Sequence, residues 1–204
     1  MNQLIDNIQS ALDGDLDAFN QIVLEFQDLV YYQAYRIMGE RDAAEDATQE
    51  AFISAYRKLK TYRGGSFKSW LLRIVSNACY DELRRRQRQP VAPLTPRDDF
   101  GEEFDSPSWM EDQGEKPEEF LTRTELSEAI QHCLDQLEIN FRTVVVLVDL
   151  QELDYASAAE AADVPLGTIK SRLARARQNM QECLSKFGEL LPVDLRHDGE
   201  AEQI

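Results

Sequence analysis

Apolar positions recur every three to four residues through most of the chain, and no strict polar–apolar alternation runs longer than a few residues. That period predicts helices rather than strands. Over residues 4–89 it is broken only at Gly14, Gly39 and the Gly64-Gly65 pair. It lapses between 90 and 119, where five prolines and many acids carry no period, and resumes from about 120 to about 190. The expectation is an all-α chain of two helical domains joined by a flexible acidic linker. The boundaries read as 1–89, a linker over 90–120, a second domain over 121–190 and a disordered tail over 191–204. Phe100, Phe104, Trp109 and Met110 are the apolar points within the linker.

The second domain carries the sharper pattern. At 100° per residue, Ile169, Leu173, Ala176 and Met180 fall within about 60° of one another. They form a core stripe, whereas Thr168, Ser171, Arg172 and Arg175 share the opposite face, with Lys170 and Arg177 on a flank. Upstream, Ala156 to Ala162 is a small-residue helix, which lets a second helix cross closely. Val164-Pro165-Leu166-Gly167 supplies a turn, and Thr168 is placed to cap the helix that follows. Two short helices joined in this way are helix-turn-helix geometry, in which the second helix enters a major groove. Arginine suits guanine edges there, and hydroxyls suit phosphates or base edges. A solvated amphipathic helix is the plainer reading of the same residues.

In the first domain, Ala44, Ala47, Ala51, Phe52, Ala55, Tyr56 and Leu59 make an inward helical face. Asp42, Asp46, Gln49, Glu50, Ile53 and Arg57 share the outer one. An isoleucine exposed among carboxylates suits a basic protein partner, although an ordinary acidic solvated face has the same composition. After the glycine pair, Ser66 is placed to cap a helix that carries Phe67, Trp70, Leu71, Ile74 and Val75. Lys68, Arg73 and Asn77 are interleaved with them, and Arg84, Arg85, Arg86 and Arg88 end the run. Aromatic faces beside cations are what single-stranded nucleic acid binds, unless Phe67 and Trp70 are simply core.

Charge changes the weight of these readings. The 204 residues hold 38 acids against 22 bases, net −16, which alone argues against nucleic acid. The distribution reverses that: residues 57–90 are net +8 and residues 166–186 net +4, within acidic surroundings. Phosphate contact depends on the local field within a Debye length of about 10 Å, not on the chain total. Only two histidines occur, and the three cysteines, Cys79, Cys133 and Cys183, are odd in number with no CxxC pair. Neither a disulfide framework nor a metal site is indicated, no cofactor is expected and no catalytic residue is assigned. The longest apolar run, Val144 to Val148, is too short to span a bilayer, and the first fifteen residues lack a signal-peptide pattern, so the chain reads as cytoplasmic without membrane insertion.

Three segments, in order, resemble bacterial sigma factors of the extracytoplasmic-function (ECF) group. DAAEDATQEAFISAYRKL is similar to that family's core-polymerase-binding segment. YRGGSFKSWLLRIVSNACYDELRRR is similar to its −10 element reader, and LDYASAAEAADVPLGTIKSRLARAR to its −35 helix-turn-helix. The resemblance covers residues 5–89 and 122–187 and implies a helical second region, a linker and a helical fourth region of a promoter-specificity subunit of RNA polymerase. It implies that Asp42, Asp46, Gln49, Glu50, Ile53 and Arg57 face core polymerase. It also implies that Arg63, Ser66, Phe67, Trp70, Arg73, Asn77, Asp81, Arg84 and Arg85 lie near the melted −10 strand. Residues 63–67 with Asn77 are then the candidates for holding a flipped base. Thr168, Lys170, Ser171, Arg172, Arg175 and Arg177 would contact −35 DNA. An anti-sigma factor partner is implied by family habit, and the acidic linker would mimic RNA in a basic channel. One departure stands out: the family usually has Glu-Ile where this chain has Ser157-Ala158. A free-standing helix-turn-helix transcriptional regulator is the alternative; it accounts for 152–180 but not for 41–88. A helical enzyme using carboxylates such as Glu45 and Asp46 is a more distant one.

Overall fold

In a computed structural model, the structure describes residues 2–88 and 117–190. The expected tail and residues 90–116 of the expected linker lie outside the described residues, whereas 117–120, also expected as linker, open a helix. Among the described residues, eight α-helices follow in order: α1 (Asn2–Leu12), α2 (Leu16–Met38), α3 (Arg41–Lys58), α4 (Phe67–Arg88), α5 (Pro117–Asp135), α6 (Ile139–Val145), α7 (Tyr155–Ala162) and α8 (Leu166–Leu184). Single 3-10 turns follow α3 and α8, and a π-helical turn over Val146–Leu150 follows α6. No described helix is long and apolar enough to cross a membrane.

The helix ends follow from local chemistry. Asp15 Oδ1 accepts from the amides of Asp17 and Ala18 and starts α2. Gly39 ends it in the left-handed region at φ 77°, where only glycine is unstrained. A Cβ there would also stand 2.7 Å from Asp135 Oδ1 of α5, so position 39 is held to glycine twice over. Ser66 caps α4 as expected, accepting from the Ser69 amide at 3.1 Å.

α2, α3 and α4 pack around Ile22, Val30, Ile37, Leu71, Leu72 and Val75, all 1% exposed or less. Burying each side chain contributes about 1.5–3 kcal/mol. Ala43, Ala44, Ala47, Ala51 and Ala55 give α3 a flat inner face, so its backbone lies close to its neighbours. Inside this core Gln33 donates through Nε2 to the Leu72 carbonyl and to Ser76 Oγ, both at 2.9 Å. In the second half, Val144, Val146, Leu147, Ile169 and Ala176 are fully buried.

The two halves touch. Arg36 of α2 is 3% exposed. It donates to the Ser127 carbonyl, Ser127 Oγ and Gln131 Oε1 of α5 at 2.8–3.2 Å. Arg142 of α6 donates at 2.7 Å to the Ile37 carbonyl, one of the acceptors left open at the end of α2. The structure also joins Cys133 of α5 to Cys183 of α8 in a disulfide, with Cα atoms 5.7 Å apart, where the sequence indicated none. Fifty residues separate the two, and spacing alone cannot show that a fold brings such positions together.

Candidate nucleic-acid interface

Asp42, Asp46, Gln49, Glu50, Ile53 and Arg57 all lie exposed along the outer side of α3, with Ile53 46% exposed. The alanines of the inner face fix this rotation. Between α3 and α4 runs an open cleft of about 500 Å³. Asp46, Gln49, Glu50 and Ile53 line one wall, and Asn77, Asp81 and Arg85 the other. Two residue sets expected to have different partners therefore meet across one groove.

The loop before α4 is tightly made. Gly64 and Gly65 have φ of 90° and 89°, which no β-carbon residue adopts easily. The Tyr62 hydroxyl donates to the Gly65 carbonyl at 2.7 Å and closes the loop. Arg63 and Ser66 stay exposed. Behind the loop, Phe26, Tyr62, Phe67 and Trp70 form an aromatic cluster with neighbouring ring centroids 5.2–5.6 Å apart. Phe67 is 4% exposed and sits in its middle. Of the two readings given for Phe67, the core one matches this burial, because the first turn of α4 points the ring at Phe26. Trp70 is half-buried, with part of its indole open to solvent.

The arginine run is less free than its sequence suggests. Glu82 accepts bidentately from Arg85 at 2.7 and 2.8 Å and from Arg86 Nε at 2.9 Å. Those hydrogen bonds, Arg85's first, hold the Glu82 carboxyl below its ordinary pKa. Arg86 also reaches Glu40 at the start of α3. Arg84 lies 3.7 Å from Asp81, in a pair that is mostly exposed on both sides. The side chain of Arg88 lies outside the described residues.

α8 carries the expected division. Ile169, Leu173 and Ala176 are buried and Met180 packs against them, while Lys170, Ser171, Arg175 and Arg177 are exposed. Thr168 and Arg172 are half-buried. Thr168 does not cap the helix. α8 starts two residues earlier, at Leu166, with Pro165 at the cap and no side-chain cap bond. Proline's fixed φ preorganises that entry, so Leu166 and Gly167 belong to the first helical turn rather than to the loop. Asp154 caps α7, accepting from the amides of Ala156 and Ser157 at 2.9 Å, and Ser157 Oγ donates to its second oxygen at 2.8 Å. The Ser157-Ala158 departure is thus accommodated: Ser157 completes the cap and Ala158 is fully buried. Asp163 adopts φ 54° at the end of α7 and makes the turn. Arg177 is engaged by Asp149, 2.6 Å away.

Residues 22–89 match the Sigma-70 region 2 family and residues 127–180 match Sigma-70 region 4. The chain is 34% identical over 184 residues to the RNA polymerase sigma-H factor of Pseudomonas aeruginosa, covering 89% of this chain and 92% of that protein. It is 34% identical over 178 residues to the ECF RNA polymerase sigma factor SigW of Bacillus subtilis, covering 87% and 94%. The chain belongs to the ECF sigma factor family. Another relative, the ECF RNA polymerase sigma factor SigE of Mycolicibacterium smegmatis, is 34% identical over 171 residues; the match covers 84% of this chain but 63% of that longer protein. Two solved structures share the fold. CnrH in complex with the cytosolic domain of CnrY gives a TM-score of 0.61 at 21% identity, over 88% of this chain and 96% of that one. The sigma factor RpoE in complex with the anti-sigma factor NepR from Bartonella quintana gives 0.60 at 24%, over 83% and 98%.

In this sigma factor, region 4 lies directly on the helix that carries the expected −10 residues. Arg73 of α4 pairs with Asp163, Lys68 donates to the Gln151 carbonyl at 2.7 Å, and the Tyr80 hydroxyl donates to Thr143 Oγ1 at 3.0 Å. Burial raises the pKa of Tyr80, opposed by that hydrogen bond and by the charge of Arg172. Arg172, from the expected −35 face, is therefore close to α4. Sequence reasoning missed these interface residues. Arg36, Lys68 and Arg142 carry no periodic signal, because what they bind lies 83 to 105 residues away.

Proposed function

We propose that residues 1–89 and 121–190 act as the two promoter- and polymerase-binding domains of this sigma factor. On this reading the outer side of α3 (Asp42, Asp46, Gln49, Glu50, Ile53 and Arg57) docks on core RNA polymerase. Carboxylates steer a basic surface into register, and Ile53 supplies apolar contact. The closed loop with Arg63 and Ser66, together with Trp70, Arg73, Asn77, Asp81, Arg84 and Arg85, holds the unpaired −10 strand. Half-exposed Trp70 offers a stacking face and the arginines a phosphate track. Thr168, Lys170, Ser171, Arg172, Arg175 and Arg177 present α8 to the −35 duplex.

The observation that carries the reading is the α3–α4 cleft. Protein-docking and strand-holding residues share one groove, so core polymerase on one wall places its DNA against the other. A free-standing duplex-binding regulator would need no such groove. The contacts of Arg73, Lys68 and Tyr80 with region 4 part when both surfaces engage promoter DNA. The reading also places the chain in the cytoplasm and gives it a regulatory partner of the anti-sigma type, as NepR is to RpoE in the structure of similar fold.

Retention of the full chain on purified core polymerase, followed by run-off transcription from genomic fragments, tests the reading. The wild-type chain is expected to be retained and to start transcripts at defined sites. Ile53→Glu is expected to lose retention with its thermal melt unchanged. A wild-type chain that core polymerase does not retain would refute the reading.

A further inference from the structure

We infer that Cys133 and Cys183 form a reversible thiol–disulfide couple, oxidised by hydroperoxides, that sets how firmly the recognition helix α8 is held to α5. The bond joins the last turn of α5 to the last turn of α8, and the loop it closes contains the helix-turn-helix. Cys133 is 1% and Cys183 6% exposed, so both sulfurs sit in the seam between the helices. Among the α5 residues whose side chains are described, Ala129, Gln131, Cys133 and Leu134 are buried. α5 is also anchored on region 2, where Ser127 and Gln131 accept from Arg36, and on α6, where Asp135 pairs with Arg142. α5 therefore bridges region 2 and the recognition helix, and the sulfur bond cross-links it to the latter.

A disulfide in a reducing compartment is generally transient or sensing rather than structural; this step rests on the cytoplasmic placement proposed above. Cys183 is the point of entry. It lies one residue from the end of α8, followed by a 3-10 turn whose Phe187 ring covers His132 at 5.7 Å. Helix ends open locally at small cost. The third cysteine does not compete, since burial pushes the Cys79 thiol up to about 12 and leaves it protonated and unreactive.

The chemistry is a two-electron exchange. The Cys183 thiolate attacks a peroxide oxygen, the O–O bond breaks, and an alcohol or water leaves a sulfenic acid on Cys183. The Cys133 thiolate then displaces the sulfenic oxygen, which departs as water, and the S–S bond forms. An external dithiol returns the two electrons through a mixed disulfide. Oxidised, α8 and α5 are one unit that Arg36 holds to region 2. Reduced, they lose that covalent tie.

The experiment takes the full chain, reduces it with dithiothreitol, treats it with hydrogen peroxide, and alkylates it with N-ethylmaleimide after denaturation. The expected product carries one maleimide, on Cys79, and its bridge accounts for a loss of about 2 Da. Amide exchange over α5 is expected to be slower than in the reduced chain by roughly tenfold or more, because the bridge removes open states from the ensemble. Cys133→Ser and Cys183→Ser should each abolish the response. Since either change can loosen the seam, the reduced wild-type chain is the reference. Three alkylated thiols after oxidation, a bridge to Cys79 or between chains, or a formed bridge with unchanged α5 exchange would each overturn the proposal. No polymerase or DNA is present, so failure of the polymerase reading leaves this outcome intact, and the reverse.

Discussion

Arg73 on α4 and Asp163 at the turn of the helix-turn-helix form an ion pair at 2.7 Å that joins the two expected DNA-binding surfaces to each other. The pair is exposed, at 45% and 73% of the side chains, so it contributes only about 0.2–1 kcal/mol. Asp163→Asn keeps a residue that tolerates φ 54° while removing the charge. The free chain should then bind a single-stranded −10 oligonucleotide up to about fivefold more tightly. The gain should fade as added salt screens the wild-type pair. Equal affinities for the two chains at low salt would show that this contact does not restrain α4.

How much of this was legible in the sequence depends on the distance over which each feature is encoded. The outer face of α3 and the core stripe of α8 follow from one residue every 100° of a helix, so residues 42–57 and 169–180 could be placed without tertiary knowledge. Ser66 was found for the same reason, as a cap acts within three residues. The start of α8 was missed because Thr168 and Pro165 both offer an entry, and proline's fixed backbone outweighed the hydroxyl. Both readings of Phe67 stayed open because alternation of aromatics and cations does not say which ring turns inward; Phe26, on another helix, turns this one into the core. The Arg36 and Arg142 contacts and the Cys133–Cys183 bond are pairings across the fold, and local pattern carries no record of them.

Leu173 and Arg175 lie two positions apart on α8 and should fail in opposite ways. Leu173 is 2% exposed, so Leu173→Ala should cost about 2–5 kcal/mol of stability through the cavity it leaves. Arg175 is exposed, and Arg175→Ala should change stability by no more than about 0.5 kcal/mol. It should instead weaken binding of −35 duplex DNA and lower the salt slope by about 1, if the side chain contacts phosphate. Urea titration and filter binding at several salt concentrations separate the two. An Arg175→Ala chain that binds duplex like wild type would remove it from the interface.

Trp70 and Phe67 make a second such pair. Phe67→Ala empties the centre of the aromatic cluster and should destabilise region 2 by about 3–5 kcal/mol. Trp70 is only half-buried, and Trp70→Ala should leave a folded chain that core polymerase still retains. Promoter opening, followed by permanganate reactivity of unpaired thymines, should fall sharply. If Trp70→Ala instead loses core retention together with its melting transition, the indole is a core residue like Phe67.

Glu82 gives the fold a pH dependence whose sign is fixed by its partners. The hydrogen bonds from Arg85 and Arg86 hold its folded pKa below the ordinary value. Protons therefore bind the unfolded chain more readily, and the stabilisation is fully present above the unfolded pKa of about 4.3. It is lost as pH falls through the lower, folded value. Glu82→Gln removes the titration and with it the anchor of both arginines. Its urea midpoint should lie below that of wild type at neutral pH, and the two should converge in the acid range. Parallel curves that keep a constant separation down to pH 3 would show that Glu82 is not the titrating group. Glu82 holds the arginines that flank Asp81 and Asn77 in the cleft, so Glu82→Gln should also weaken −10 strand binding at neutral pH, where the loss of anchoring is greatest.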